Sequence, residues 1–252
     1  MKSKREILND WGYHAMKLDD LTRLMNAAGS DKGLGLYGRH YYTRVYRELF
    51  AALRDQPINF VEIGLLRPDR DRRRSSNAAE GVAGVEATSA PSLQAWRSYF
   101  PKARIIGFDI DDFRGVKLPG VTILQGDMDR EADLQAIIKA CERPIDVVID
   151  DGSHVSHHQQ KAFACLFPAV RPGGLYIIED CHWQDPTLEI PGATKTRDVF
   201  SGFRRHGRLE SAFVPEAQLQ RLGADIESVR FHDSIEPKVQ DTEDALCVIR
   251  KR

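Results

Sequence analysis

The chain has 252 residues, enough for one large α/β domain or two small ones. Apolar residues make up 42% and charged residues 29%, and 36 basic side chains against 37 acidic ones leave a net charge of −1. That balance supplies no global field for nucleic acid or an anionic membrane, and no apolar run nears the roughly 18 residues of a membrane-spanning helix.

Residues 1–56 read as helical, with Leu18, Leu21, Leu24 and Met25 at three- and four-residue spacing and Val45, Leu49 and Leu53 at four. They are expected to form a helical cap on a core of residues 57–252. From there the pattern changes to short apolar runs at 58–64, 104–109, 121–124, 145–151 and 175–180, closed by acids or glycine. Helix-length segments at 92–100, 130–142 and 156–169 lie between them. Strands alternating with helices make βαβ units and a parallel sheet. A helix near 215–222 and two late strand-like runs, 226–231 and 245–249, complete the pattern. The expected fold is α/β and Rossmann-like: a mostly parallel seven-stranded sheet, helices on both faces, and an antiparallel edge. Residues 67–91 stand apart. Arg67, Arg70, Arg72, Arg73 and Arg74 are followed by small polar residues with almost nothing apolar, which predicts a mobile insertion, either a lid or a solvated loop. The charged start has no apolar stretch behind it, so no signal peptide is expected. Four scattered cysteines without a CxxC pair point to reduced thiols and a cytoplasmic location.

In an open parallel sheet ligands bind beyond the carboxyl ends of the strands, where strand order reverses. The first run ends at Glu62-Ile63-Gly64, and a glycine there allows a tight turn and close approach to a ligand. Asp109 ends the second run, where nucleotide folds place an acid on ribose hydroxyls about 20 residues after the glycine. Here the separation is 45 residues, and the 25-residue insertion accounts for the excess. Leu65 and Leu66 follow Gly64, so G-x-G-x-x-G is absent, which counts against a pyrophosphate cofactor such as NAD and leaves an adenosine-type ligand. Asp127, after Gly126, is either a further acid near an adenine or a helix cap.

The strongest constellation is Asp150-Asp151-Gly152-Ser153-His154 with Glu179-Asp180, each directly after an apolar run. On neighbouring strands these ends lie about 5 Å apart. Carboxylates so placed repel one another unless a cation neutralises them, and hard oxygen ligands suit Mg²⁺. Helix N-caps are the simpler alternative, but the two turns hold more acids and imidazoles than capping needs. His154, three residues after Asp151, is suited to accept a proton from a hydroxyl beside the cation. His157 and His158 read as surface helix residues.

As an ordered set these motifs resemble the metal-dependent sugar O-methyltransferases of macrolide biosynthesis, the mycinamicin and tylosin type. The resemblance runs over about residues 26–183. It includes Gly29-Ser30-Asp31-Lys32-Gly33, His40-x-Tyr42-x-x-x-Tyr46, Val61-Glu62-Ile63-Gly64, Ser92-Leu93-x-x-Trp96 with Phe100-Pro101, Pro172-Gly173-Gly174 and Ile178-Glu179-Asp180. It implies a class I methyltransferase fold that binds S-adenosylmethionine (SAM) and Mg²⁺. By position it makes Asp151, Glu179 and Asp180 metal ligands and His154 the general base. Glu62, Gly64, Asp109, Asp127 and Asp150 then stand on the cofactor side, with Gly29, Ser30 and Lys32 in a turn closing over it. Helix capping is the alternative for Gly29 and Ser30. The expected activity is SAM- and Mg²⁺-dependent O-methylation of a sugar hydroxyl, on a saccharide or glycosylated natural product. The alternative acceptor is a catechol or other phenolic small molecule. The expected partners are thus a small-molecule or saccharide acceptor, with neither nucleic acid nor membrane; whether the chain forms a homo-oligomer is left open.

Overall fold

A computed structural model describes residues 18–34, 41–65, 89–181, 184–233 and 245–252. The arginine-rich insertion falls outside the described residues except for 89–91, and so do residues 1–17 and His40.

Among the described residues two helices come first, α1 (Asp20–Ala28) and α2 (Thr43–Phe50). Asp19 caps α1 by accepting from Thr22 N at 3.0 Å and Thr22 Oγ1 at 2.7 Å. Strand β1 (Asn59–Ile63), helix α3 (Pro91–Tyr99), strands β2 (Arg104–Asp109) and β3 (Val121–Gln125), helix α4 (Glu131–Cys141), strand β4 (Ile145–Asp150), helix α5 (Ser156–Leu166) and strand β5 (Val170–Ile178) follow. The chain closes with α6 (Thr196–His206), α7 (Glu216–Asp225), β6 (Ile226–Asp233) and β7 (Ala245–Lys251).

The strands form one seven-stranded sheet in the order β3-β2-β1-β4-β5-β7-β6. The first five pair in parallel, and β7 runs antiparallel between β5 and β6. Strand order therefore reverses between β1 and β4, which opens a crevice at their carboxyl ends.

Side-chain alternation divides the core into two layers. Val61, Ile63, Ile106, Val148, Tyr176 and Ile178 join one cluster, under α4, α5 and the last two helices. Phe60, Ile105, Val147, Ile149, Leu175 and Ile177 join the other, under α1, α2 and α3. In the second layer Tyr46, Phe50, Phe60, Trp96 and Phe100 interlock with ring centroids 4.9 to 6.0 Å apart. These aromatic contacts bind α2 to the sheet and fix the position of the tyrosines that reach the site below.

The alternating pattern of the sequence matches this sheet closely. Two details differ. Helix α6 is additional to the elements the sequence pattern predicts: only Val199, Phe200 and Phe203 of its eleven residues make an apolar face, and Gly207 (φ 69°) ends the helix in the left-handed conformation. Strand β5 begins at Val170, ahead of the expected start at residue 175. Its pairing with β4 slips between Ile145 and Val147, and that irregularity absorbs Pro172-Gly173-Gly174. Cys141, Cys181 and Cys247 are buried, Cys165 is half-buried, and none of the four is in a disulfide. Among the described residues, no helix is long and apolar enough to cross a membrane.

Candidate active site

The strand ends carry the chemistry. Gly64 turns the chain out of β1 with φ 84°, and a Cβ there would lie 2.0 Å from the Asp151 carbonyl oxygen. Only glycine meets both conditions, so the turn after β1 lies directly against the turn after β4. Asp151 N in return donates to Ile63 O at 2.9 Å.

Beyond β4 and β5 the structure brings Asp151, His154 and Asp180 together. One ligand-capable atom from each lies within 4.8 Å of the others, and His154 Nε2 is 3.9 Å from Asp180 Oδ2. His154 (φ 58°) and Asp180 (φ 48°) both adopt the left-handed backbone conformation. Non-glycine residues rarely do so, at a cost of roughly 1–3 kcal/mol each, and such strain concentrates at functional sites. Two carboxylates and an imidazole within this distance of one another fit a divalent cation.

Glu179 belongs to the same acidic group but faces Lys32. Lys32 is only 2% exposed. Its Nζ ion-pairs with Asp151 and lies 3.0 Å from Glu179 Oε2 and 3.4 Å from Glu62 Oε1. Two tyrosines from the helical segment complete the enclosure: Tyr46 Oη donates to Glu179 Oε1 at 2.5 Å, and Tyr42 Oη donates to Asp180. Behind them Tyr176 Oη donates to Asp150 Oδ2 at 3.0 Å. Ser92 Oγ donates to Glu62 Oε2 at 2.8 Å.

One ammonium does not balance so many acids. Burial raises the pKa of Asp151 and raises that of Glu179 well above the ordinary carboxylate range. Burial likewise pushes Glu62 to about 7 and Asp150 to about 6. Burial would lower the pKa of Lys32, but Asp151, Glu179 and Glu62 outweigh it and hold the ammonium charged.

A stability consequence follows from Glu62. Its folded-state pKa of about 7 stands above the ordinary 4.5, so the folded protein holds the proton more tightly than the unfolded chain. The resulting stabilisation is complete below about pH 4.5 and is lost as pH rises through about 7, on the order of 3 kcal/mol in all. Urea unfolding of chelator-treated, SAM-free protein should therefore give a lower midpoint at pH 8 than at pH 5. Glu62→Gln should make that slope shallower, the remainder coming from Asp150, Asp151 and Glu179, whose pKa values burial also raises; an equal slope in the variant would show that Glu62 does not contribute to it.

The other expected site residues take definite local positions. Gly29 (φ 83°) ends α1, and the amides of Gly29 and Ser30 return to Met25 O at 3.0 and 2.9 Å. Ser30 Oγ accepts from Lys32 N at 3.3 Å, so residues 29–32 form a capping turn that delivers Lys32 into the carboxylates. Asp109 accepts from Leu65 N at 2.6 Å and Asp111 N at 2.7 Å, bracing the turns after β1 and β2. Asp127 accepts from Asp129 N at 2.9 Å within its own turn; it does not cap α4, whose N-cap residue is Arg130. Tyr42 and Tyr46 had no role in the sequence reading beyond the motif that contains them, and neither did Tyr176.

The strand order, with β7 antiparallel between β5 and β6, is the Rossmann-like fold of class I methyltransferases. No family model matches the chain. In sequence it is similar to the 8-demethyl-8-(2-methoxy-α-L-rhamnosyl)-tetracenomycin-C 3′-O-methyltransferase of Streptomyces olivaceus, 42% identical over 161 residues, which cover 64% of this chain and 36% of that protein. It is also similar to the mycinamicin VI 2″-O-methyltransferase of Micromonospora griseorubida, 37% identical over 141 residues, 56% of this chain and 31% of that one. The solved MycE methyltransferase of the mycinamycin biosynthetic pathway, in complex with Mg and S-adenosylhomocysteine, aligns at a TM-score of 0.65 and 25% identity over 93% of this chain and 55% of that chain. The chain is thus a relative of the sugar O-methyltransferases of macrolide and tetracenomycin pathways. It spans about a third of the length of the curated relatives it matches.

Proposed function

We propose that the chain transfers a methyl group from SAM to a hydroxyl of a sugar, with Mg²⁺ held at the carboxylate cluster. The observation that carries this reading is the convergence of Asp151, His154 and Asp180 at the reversal of strand order, beside a buried group of acids that Lys32 alone does not neutralise. Relatives that methylate sugar hydroxyls, and a solved relative complexed with Mg and S-adenosylhomocysteine, support it.

When bound, SAM supplies the methyl group, and Mg²⁺ lowers the pKa of the acceptor hydroxyl and fixes its orientation. Asp151 and Asp180, with Glu179 beside them, hold the cation. His154 accepts the proton of the acceptor hydroxyl. Glu62, Asp109, Asp127 and Asp150 offer acceptors on the cofactor side, and Gly64 keeps the floor of that crevice free of a side chain. The turn at residues 29–32 closes over the cofactor, and its Lys32 neutralises part of the acid cluster.

The test uses purified protein, labelled SAM and a panel of rhamnosylated polyketides, with catechols alongside. Transfer to glycosides, abolished by EDTA and restored by Mg²⁺, is expected. Full activity in excess EDTA would remove the metal, and transfer to catechols alone would replace the sugar with a phenolic acceptor.

A further inference from the structure

We propose that Asp129, His157 and His158 form a second metal site, separate from the carboxylate cluster, that takes a borderline transition ion of the Zn²⁺ class. One ligand-capable atom from each of the three side chains lies within 4.8 Å of the others. The two histidines occupy the first turn of α5, and their rings stand edge to face with centroids 4.2 Å apart. Asp129 reaches them from the turn before α4.

The orientation of His158 is fixed as a metal-binding imidazole requires. Its Nδ1 shares a hydrogen bond with Ser153 Oγ at 2.8 Å, which leaves Nε2 on the side of Asp129, 4.0 Å from Oδ1. Metal-ligating histidines regularly have their second nitrogen held in this way, since the bond sets both tautomer and ring angle. His157 is packed against Phe213, and its Nδ1 is buried with no hydrogen-bond partner among the described residues. Burial lowers the pKa of both histidines, which favours the neutral form that coordinates metals. Two imidazole nitrogens and one carboxylate oxygen, with a position left for water, suit Zn²⁺ or Co²⁺ and not Mg²⁺, which prefers oxygen ligands in an octahedron.

Lys161 identifies a built-in competitor. Its Nζ lies 2.5 Å from Asp129 Oδ1, so an incoming cation must displace an ammonium from that oxygen. Ser153 lies between Asp151 and His154 in the chain, so an ion at this site is tied through His158 to the turn that carries both.

The experiment titrates chelator-treated full-length chain with Co²⁺ alone, followed by its visible absorption, and measures the melting temperature with and without Zn²⁺. Comparing variants isolates this site whatever other ions the protein binds. Wild type is expected to lose one Co²⁺ equivalent on His157→Gln and on Asp129→Asn, and to lose the Zn²⁺-dependent part of its thermal stabilisation with it. Lys161→Met should bind roughly two- to fivefold more tightly, because the competing exposed ion pair is gone. Asp129 is half-exposed, so its replacement leaves the fold intact even where His157→Gln does not. Unchanged stoichiometry and affinity in both Asp129→Asn and Lys161→Met would overturn the proposal.

Discussion

Asp151→Asn is expected to lower methyl transfer by a factor on the order of 10³ or more while leaving the fold and SAM binding in place. Asn keeps the shape of Asp and removes its charge. That charge is one of the two carboxylates in the cluster with His154. A cation bound there is worth several kcal/mol of charge stabilisation, and each 1.36 kcal/mol is tenfold in rate. Stability should move differently. Burial raises the pKa of Asp151, so the buried charge is unfavourable in the ligand-free protein despite its ion pair with Lys32. Removing one of several mutually repelling acids should cost little, and the melting temperature of chelator-treated protein should stay level or rise. The two readouts therefore separate. Calorimetry with SAM, a melting curve without metal and a turnover assay with Mg²⁺ would check all three. A variant that retains wild-type turnover would show that Asp151 holds nothing the reaction needs.

The opposite signs of these effects reflect how the site is built, and also why only part of it was legible in the sequence. Strand ends were readable because burial on both faces of a parallel strand demands a continuous apolar run, so the first acid after the run marks the sheet's edge. Asp109, Asp150, Asp151, Glu179 and Asp180 all announce themselves in this way, Gly64 marks the end of the first run as a turn residue, and β1, β4 and β5 prove to be neighbours. Lys32 does not. It sits in a Gly-Ser-Asp turn that reads equally well as helix capping, and its carboxylate partners lie 119 and 147 residues further along. No local pattern encodes a contact at that separation. Tyr42 and Tyr46 are four residues apart on one helical face, which is also the signature of an ordinary core stripe. Their hydroxyls become informative only once the aromatic packing of α2 against Trp96 and Phe60 has aimed them at Asp180 and Glu179. His157 and His158 look like solvent-facing residues at a helix start, and only the fold brings Asp129 across to them.

His154→Gly should lower turnover by about 10²–10⁴, the usual contribution of a positioned proton acceptor. Glycine is the informative replacement because of the backbone. His154 has φ 58°, a conformation that glycine adopts freely and alanine resists, so the substitution removes the ring without adding strain. The ring is also close enough to Asp151 and Asp180 to serve as a metal ligand, and the two roles predict different kinetics. A lost ligand raises the Mg²⁺ concentration needed for half-maximal rate, and saturating Mg²⁺ recovers much of the activity. A lost base leaves that concentration nearly unchanged and lowers the rate at saturation. The assignment to proton transfer therefore expects a depressed kcat at saturating Mg²⁺, with little change in Mg²⁺ requirement or SAM affinity. The cavity left by the ring adds a further check. Free imidazole supplied in solution should restore part of the turnover of His154→Gly and leave wild type unaffected, because the missing group is an acceptor of a proton and not a fixed point of the fold. Recovery by Mg²⁺ with no response to imidazole would move His154 from the base to the metal's ligand set.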